Sequence, residues 1–327
     1  MWDFSVGNAL ALMMRTLPYL LLRLAVYLGI TLAFLIITAL GAGIGWGIGG
    51  LGDTGFRAGA TFWGGLIGFG IVGTVAYFAR EYILYLVKAG HIAVLIELME
   101  GGSVPGGQGQ LTYGKDTVKS RFAQSSILFG VDQLIKGAVR AITGLARGMI
   151  NMLPIPGLRP VAGIVNAFLK VAVGFIDEVI LAYAIKTKSD NAWQSSRTAL
   201  ILYGQNWKTM LRNAAWLAGI IYLLTFIIFL IMLAPASLLV WLVPGSASAI
   251  TLIFALILAW AVKAAVLEPF AVTCMMQVYF KTVEGQAPNP EWEAKLEKMS
   301  GKFRKLKDRA FAAEDSSSPQ TINAVPE

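Results

Sequence analysis

Hydrophobic and polar residues are distributed along this chain in long blocks. No charged residue occurs from Leu24 to Gly52 or from Ala58 to Ala79. Each run supplies the roughly 20 apolar residues needed to cross about 30 Å of hydrocarbon. Only Gly49 to Arg57 joins them, so the pattern predicts a tight helical hairpin. The first run is too long for a cleavable leader, and Ile36 to Gly50 shows no Ala-x-Ala pattern, which predicts a retained helix. A third charge-free tract, Asn213 to Val262, would be about 75 Å long as one helix and must fold back. Pro235, Pro244 and Gly245 are the expected breaks, giving spans at Ala214 to Ala234 and Ala247 to Leu267.

The middle of the chain follows a different period. From Arg121 to Lys188, apolar residues such as Val131, Leu134, Ile135, Ala138 and Ile142 recur at steps of three and four, while Asp132, Lys136, Arg140 and Arg147 fall elsewhere. After a turn at Pro154, Pro156, Gly157 and Pro160 the pattern resumes through Ile164, Phe168, Ile176 and Ile180, with Asp177 and Glu178 among its charged residues. Two long amphipathic helices are predicted. Facing lipid at the bilayer centre, the four charges of the first would together cost about 10 kcal/mol. They therefore lie in the cytoplasmic interface, or line a water-filled cavity or pair with Asp177 and Glu178.

These patterns predict an all-α, polytopic membrane protein with two transmembrane hairpins, about four spans, and two amphipathic helices. Residues 1–100 form the first hairpin with a cytoplasmic helical extension, 101–120 a Gly-rich loop and 121–190 the amphipathic pair. Residues 191–285 form the second hairpin, 286–313 a charged cytoplasmic helix and 314–327 a disordered tail. The hairpin tips carry a single basic residue, Arg57, whereas Arg80 to Arg212 and the tail carry most of the others. The positive-inside rule then places both termini and the middle segment in the cytoplasm, in a multi-pass membrane setting.

Composition adds exclusions. With 56% hydrophobic and 14% charged residues among 327, the chain departs from the soluble norm of roughly 25% charged. A water-soluble enzyme and a disordered chain are both excluded. The net charge of +8 points to anionic lipid rather than nucleic acid. The lone Cys274 and lone His91 form neither a disulfide nor a Cys/His metal site, and no cofactor is predicted.

Several short motifs have structural readings. Gly41, Gly45 and Gly49, with Gly64 and Gly68, have the small-xxx-small spacing that brings helix backbones together, either within the hairpin or between copies of the chain. Gly47, Gly49 and Gly52 match GxGxxG without a preceding strand, and Gly109 to Asp116 approaches a P-loop but puts Asp116 where a hydroxyl would hold Mg²⁺. Both read as connecting structure. Lys263 and Glu268 are the charges nearest the last span; five residues apart, they sit about 140° apart around an α-helix and are not expected to pair. Glu268 is an interfacial residue or a carboxylate facing the bundle interior. In the tail, Lys302, Arg304, Lys305, Lys307 and Arg309 form a basic cluster suited to lipid headgroups.

The stretch ALILYGQNWKTMLRN, Ala199 to Asn213, two apolar spans, and then CMMQVYFKTVEG, Cys274 to Gly285, resemble the end of choline-transporter-like membrane proteins. The resemblance covers about the last 130 residues and is carried by order and by Tyr203, Gly204, Asn206, Arg212 and Asn213. It implies a membrane-embedded helical bundle and a transport role, and no choline-binding residue is carried over from it. The expected function is non-enzymatic, transporter-like handling of a small polar solute or lipid headgroup. Asp132, Lys136, Arg140, Asp177, Glu178, Lys263 and Glu268 are its candidate cavity. The alternative is a structural or assembly protein that scaffolds a partner at the cytoplasmic face.

Overall fold

A computed structural model of the chain describes residues 2–121, 130–131, 133–142, 144, 175–188, 191–241 and 248–317. These residues form helices and no strand: α1 (Val6–Arg15), α2 (Leu17–Gly49), α3 (Thr54–Met99), α4 (Gln110–Arg121), α5 (133–142), α6 (175–186), α7 (Ala192–Gln205), α8 (Trp207–Trp241), α9 (Ser248–Val262), a π-helical turn (Lys263–Leu267), α10 (Glu268–Val283), α11 (Pro290–Met299) and α12 (Gly301–Ser317). Three helical stretches among the described residues are long and apolar enough to cross a membrane: Leu17–Gly49, Trp207–Leu238 and Phe254–Val283. The expected crossing at 58–79 lies on α3, which continues unbroken to Met99.

The chain divides into two compact units. The second unit comprises Met13–His91 and Ile221–Phe270. Its hairpin is closed by glycine. A Cβ placed on Gly45 would lie 2.0 Å from the Ala60 carbonyl oxygen, and one on Gly64 would lie 2.2 Å from that of Gly41. The α2 and α3 backbones thus touch directly, a packing only these residues permit. At the tip, Asp53 accepts a hydrogen bond from the Phe56 amide at 2.7 Å, and Arg57 lies 4.7 Å over the Trp46 ring. Farther along, Tyr27, Leu84, Ala261, Ala264 and Ala265 form a buried cluster. The opposite surfaces expose Ile36, Leu40, Ile44, Phe62, Trp63, Phe226 and Leu230, far more apolar area than a water-soluble surface carries. Thr61, Thr225 and Ser237 donate their hydroxyls to carbonyls four residues back, so these three need no water.

The first unit comprises Met1–Leu12, Ile92–Ile220 and Ala271–Glu327. Asn191 caps α7 through the Trp193 and Gln194 amides and donates to the Ala310 carbonyl at 2.9 Å. Leu296, Phe303, Leu306 and Ala310 are fully buried, so α11 and α12 pack inward. Tyr279 donates to the Ala199 carbonyl at 3.0 Å and meets Tyr183 edge-on. The N-terminus is strapped at Asp3, which receives hydrogen bonds from Asn213 and Arg212. Those bonds, that of Asn213 foremost, outweigh its desolvation and hold its carboxyl below the ordinary value.

Four expectations change. The tail is two helices, not one: the Ser300 hydroxyl accepts from the Phe303 amide at 3.2 Å, which starts a new helix there. Gln110 to Arg121 is helical rather than loop. The chain does not turn at Pro235, which lies inside α8; Pro244 and Gly245 lie outside the described residues. The described apolar stripe of the amphipathic pair, including Ile135, Val139, Ile176 and Ile180, is buried in protein rather than turned to acyl chains.

Candidate functional site

The second unit holds a polar seam inside otherwise apolar helices. Thr16, Tyr19, Arg23 and Tyr27 recur at steps of three and four, so from α2 and the residue before it they share one face. All four are buried, with Arg23 only 1% exposed. Leu84, Lys88 and His91 share a face of α3 by the same spacing. His91 Nε2 lies 2.9 Å from the Thr16 hydroxyl, and that hydroxyl donates to the Met13 carbonyl. The Thr16 proton is therefore committed, Nε2–H is the donor, and Nδ1 carries the lone pair. Tyr19 stacks parallel on the imidazole at 5.2 Å. Its hydroxyl would lie 2.5 Å from a Cβ at Gly90, so only glycine fits beside it. His91 is itself buried, and its Nδ1 has no hydrogen-bond partner among the described residues.

The same unit contains an ion cluster on the π turn. Lys263 Nζ donates to Glu268 Oε1 at 2.9 Å, and Lys88 Nζ lies 4.0 Å from Oε2. All three side chains are about one-quarter exposed or less. This overturns the expectation that Lys263 and Glu268 diverge. An α-helix would separate residues i and i+5 by about 140°, but the π turn, with its i→i+5 hydrogen bonding, brings them together. The Glu268 amide bonds to the Lys263 carbonyl across that turn.

The other candidate residues belong to the first unit. Lys136 and Asp177 approach to 3.9 Å, Glu178 is buried, and Arg140 is exposed. Asp132 lies outside the described residues. The candidate cavity residues therefore form two groups, each with its own ion pair in its own unit. In the basic cluster, Lys307 bonds Glu293 at 3.1 Å and also Glu297, and Arg309 lies 4.8 Å over Trp193. Lys302, Arg304 and Lys305 are exposed. Arg197 joins the network through Glu293 at 3.0 Å. Burial raises the Glu293 carboxyl, but the bonds from Arg197 and Lys307 outweigh it and hold the carboxyl low. The Glu297 hydrogen bond raises Lys307.

Sequence reasoning missed Arg23 and Lys88. The signal was present: Thr16, Tyr19, Arg23, Tyr27 and Thr31 form a polar and aromatic stripe at helical spacing. It is hidden because the charge-free run begins at Leu24, one residue beyond the arginine. Among the described residues no group of three or more His, Cys, Asp or Glu could hold a metal ion.

A concavity of about 580 Å³ lies at the α7–α8 corner of the first unit. Gln205 donates to Gln286 at 2.7 Å and accepts from the Asn289 amide at 3.1 Å, and Asn206 also donates to Gln286, fastening the segment before α11 to this corner. Gly204 admits the Trp292 ring, which would lie 3.2 Å from a Cβ there. No protein-family model matches the sequence, and neither a curated protein nor a solved structure matches it.

Proposed function

We propose that this protein is a multi-pass membrane protein, non-enzymatic, that passes a small polar solute or a lipid headgroup along the polar seam of its second unit. In this reading four helices cross the bilayer, with both termini and the middle segment on the cytoplasmic side. The observation that carries it is Arg23, buried in a helix long and apolar enough to span a membrane. A charge in such a helix costs about 2.5 to 3.5 kcal/mol at its centre even by insertion scales, and is retained where it serves a pathway or binding site. The buried His91 and the Lys263–Glu268 pair extend the polar seam. Mixed charge suits a zwitterionic or anionic group better than a bare cation.

The test is reconstitution into liposomes, with dithionite bleaching of a fluorophore-labelled phosphatidylcholine in one arm and counterflow of labelled zwitterionic solutes in the other. Movement above that of protein-free liposomes in either arm is expected; rates equal to protein-free liposomes in both would end this reading. A structural or assembly role is favoured by a different observation. The folded α11–α12 pair, locked by Arg197, Glu293, Lys307 and Glu297, leaves Lys302, Arg304 and Lys305 exposed as a basic surface.

A further inference from the structure

We propose that the concavity at the α7–α8 corner binds the anionic headgroup of a phospholipid. Its wall includes Asn206, Trp207, Lys208, Thr209, Trp292 and Lys295. The two lysines are the reason to expect an anion. Lys295 Nζ lies 4.4 Å over the Trp292 ring and Lys208 Nζ 6.0 Å over that of Trp207. Among the described residues neither ammonium has a carboxylate within ion-pair distance. An aromatic face positions a cation without neutralising it, so two positive charges stay uncompensated beside one cavity. Lys307 in the neighbouring helix is different, because Glu293 and Glu297 already neutralise it.

The aromatic walls and the position distinguish a lipid from a free anion. Trp207 opens α8, and Trp207–Leu238 is long and apolar enough to cross a membrane, so the concavity lies at the end of that stretch. Tryptophan and lysine are the residues that sit at headgroup depth, the indole against glycerol and upper acyl chain and the ammonium against phosphate. The Gln205, Asn206, Gln286 and Asn289 bonds fix the geometry of the site before any lipid arrives. This proposal is independent of whether the seam of the second unit conducts anything.

The full chain, held in phosphatidylcholine nanodiscs containing a minor fraction of phosphatidylglycerol, is released into native mass spectrometry and its retained lipid identified. Wild type is expected to keep phosphatidylglycerol in preference to phosphatidylcholine. K208Q/K295Q is expected to lose that preference by about thirtyfold, each lysine near the surface contributing about 1 kcal/mol. K208R/K295R is expected to keep most of it, and K115Q/K119Q, at two exposed lysines of α4, all of it. Inorganic phosphate in excess is expected to leave the lipid bound. Equal preference in wild type and K208Q/K295Q overturns the proposal, as does an equal loss in K115Q/K119Q. Displacement by inorganic phosphate overturns it too, in favour of a soluble anion. The single variants K208Q and K295Q, each expected to lose about fivefold, decide the matter if the double variant does not fold.

Discussion

Two clusters of lysine and glutamate in this protein have the same chemistry in different surroundings. On α7, α11 and α12, Arg197, Glu293, Lys307 and Glu297 form a network at the rim of a packed helical unit. On the π turn, Lys263, Glu268 and Lys88 form a cluster among apolar helices with a lipid-suited exterior. Near water an ion pair contributes about 0 to 1 kcal/mol, because solvation competes with it. In a low-dielectric setting the pair itself gains little net, yet removing one partner strands a charge, at about 3 to 5 kcal/mol. The two clusters are similarly exposed; the difference is that in the proposed membrane reading the π-turn cluster is flanked by lipid rather than water and cannot lose a member cheaply. Retention of such a costly arrangement is what points to a role beyond stability.

The comparison breaks most visibly at Glu268. E268A is expected to lower stability in nanodiscs by about 3 kcal/mol, since it leaves Lys263 and Lys88 without their shared carboxylate; a loss below that of E293A would remove the contrast. Next comes the hairpin beside the cluster. G45V drives a side chain into the Ala60 carbonyl and is expected to cost about 1 to 3 kcal/mol, whereas Gly43 has nothing within 4 Å of its would-be Cβ, so G43V leaves the melting temperature nearly unchanged. Equal effects of the two would show that the glycines are not what closes the hairpin.

The rim network predicts a smaller, pH-dependent effect. E293Q is expected to cost about 1 kcal/mol. Glu293 is held below its ordinary value of 4.5, so its contribution is present above about 4.5 and is lost as pH falls through its lowered value. Lys307 is raised, and its contribution is lost only as pH rises through that raised value, above 10.5. Melting curves between pH 3 and 6 (chosen to bracket the carboxylate range) are expected to converge for wild type and E293Q at the acid end. A constant gap would assign the effect to packing instead. Smallest of all, K305Q on the exposed face of α12 is expected to shift stability by less than about 0.5 kcal/mol.

Much of the fold is legible in the sequence because lipid imposes a coarse rule. Long uncharged runs at Leu24 to Gly52 and Asn213 to Val262 have few alternatives to apolar helices. Local backbone irregularity is what that rule does not reach. The π turn at Lys263–Leu267 leaves no mark in a run of Ala, Val and Leu, so α-helical geometry wrongly separates Lys263 from Glu268. Pro235 resembles a breaker, but α8 carries it and continues to Trp241. In the tail the charges obscured Leu296, Phe303 and Leu306, whose burial requires two helices in place of one. Arg23 was legible in principle, through the stripe it shares with Tyr19 and Tyr27, but a search for uncharged runs stops short of it.

The central claim is that the Lys263–Glu268 pair, joined by the π turn, serves the movement of a polar group. The most direct measurement is flux in proteoliposomes for wild type, E268Q and the charge-reversed K263E/E268K. The account predicts at least about a tenfold loss in E268Q, equivalent to 1.4 kcal/mol, and partial recovery in K263E/E268K, whose pair is re-formed with opposite polarity. Wild-type flux in E268Q, with the variant folded and reconstituted to the same level, would contradict it.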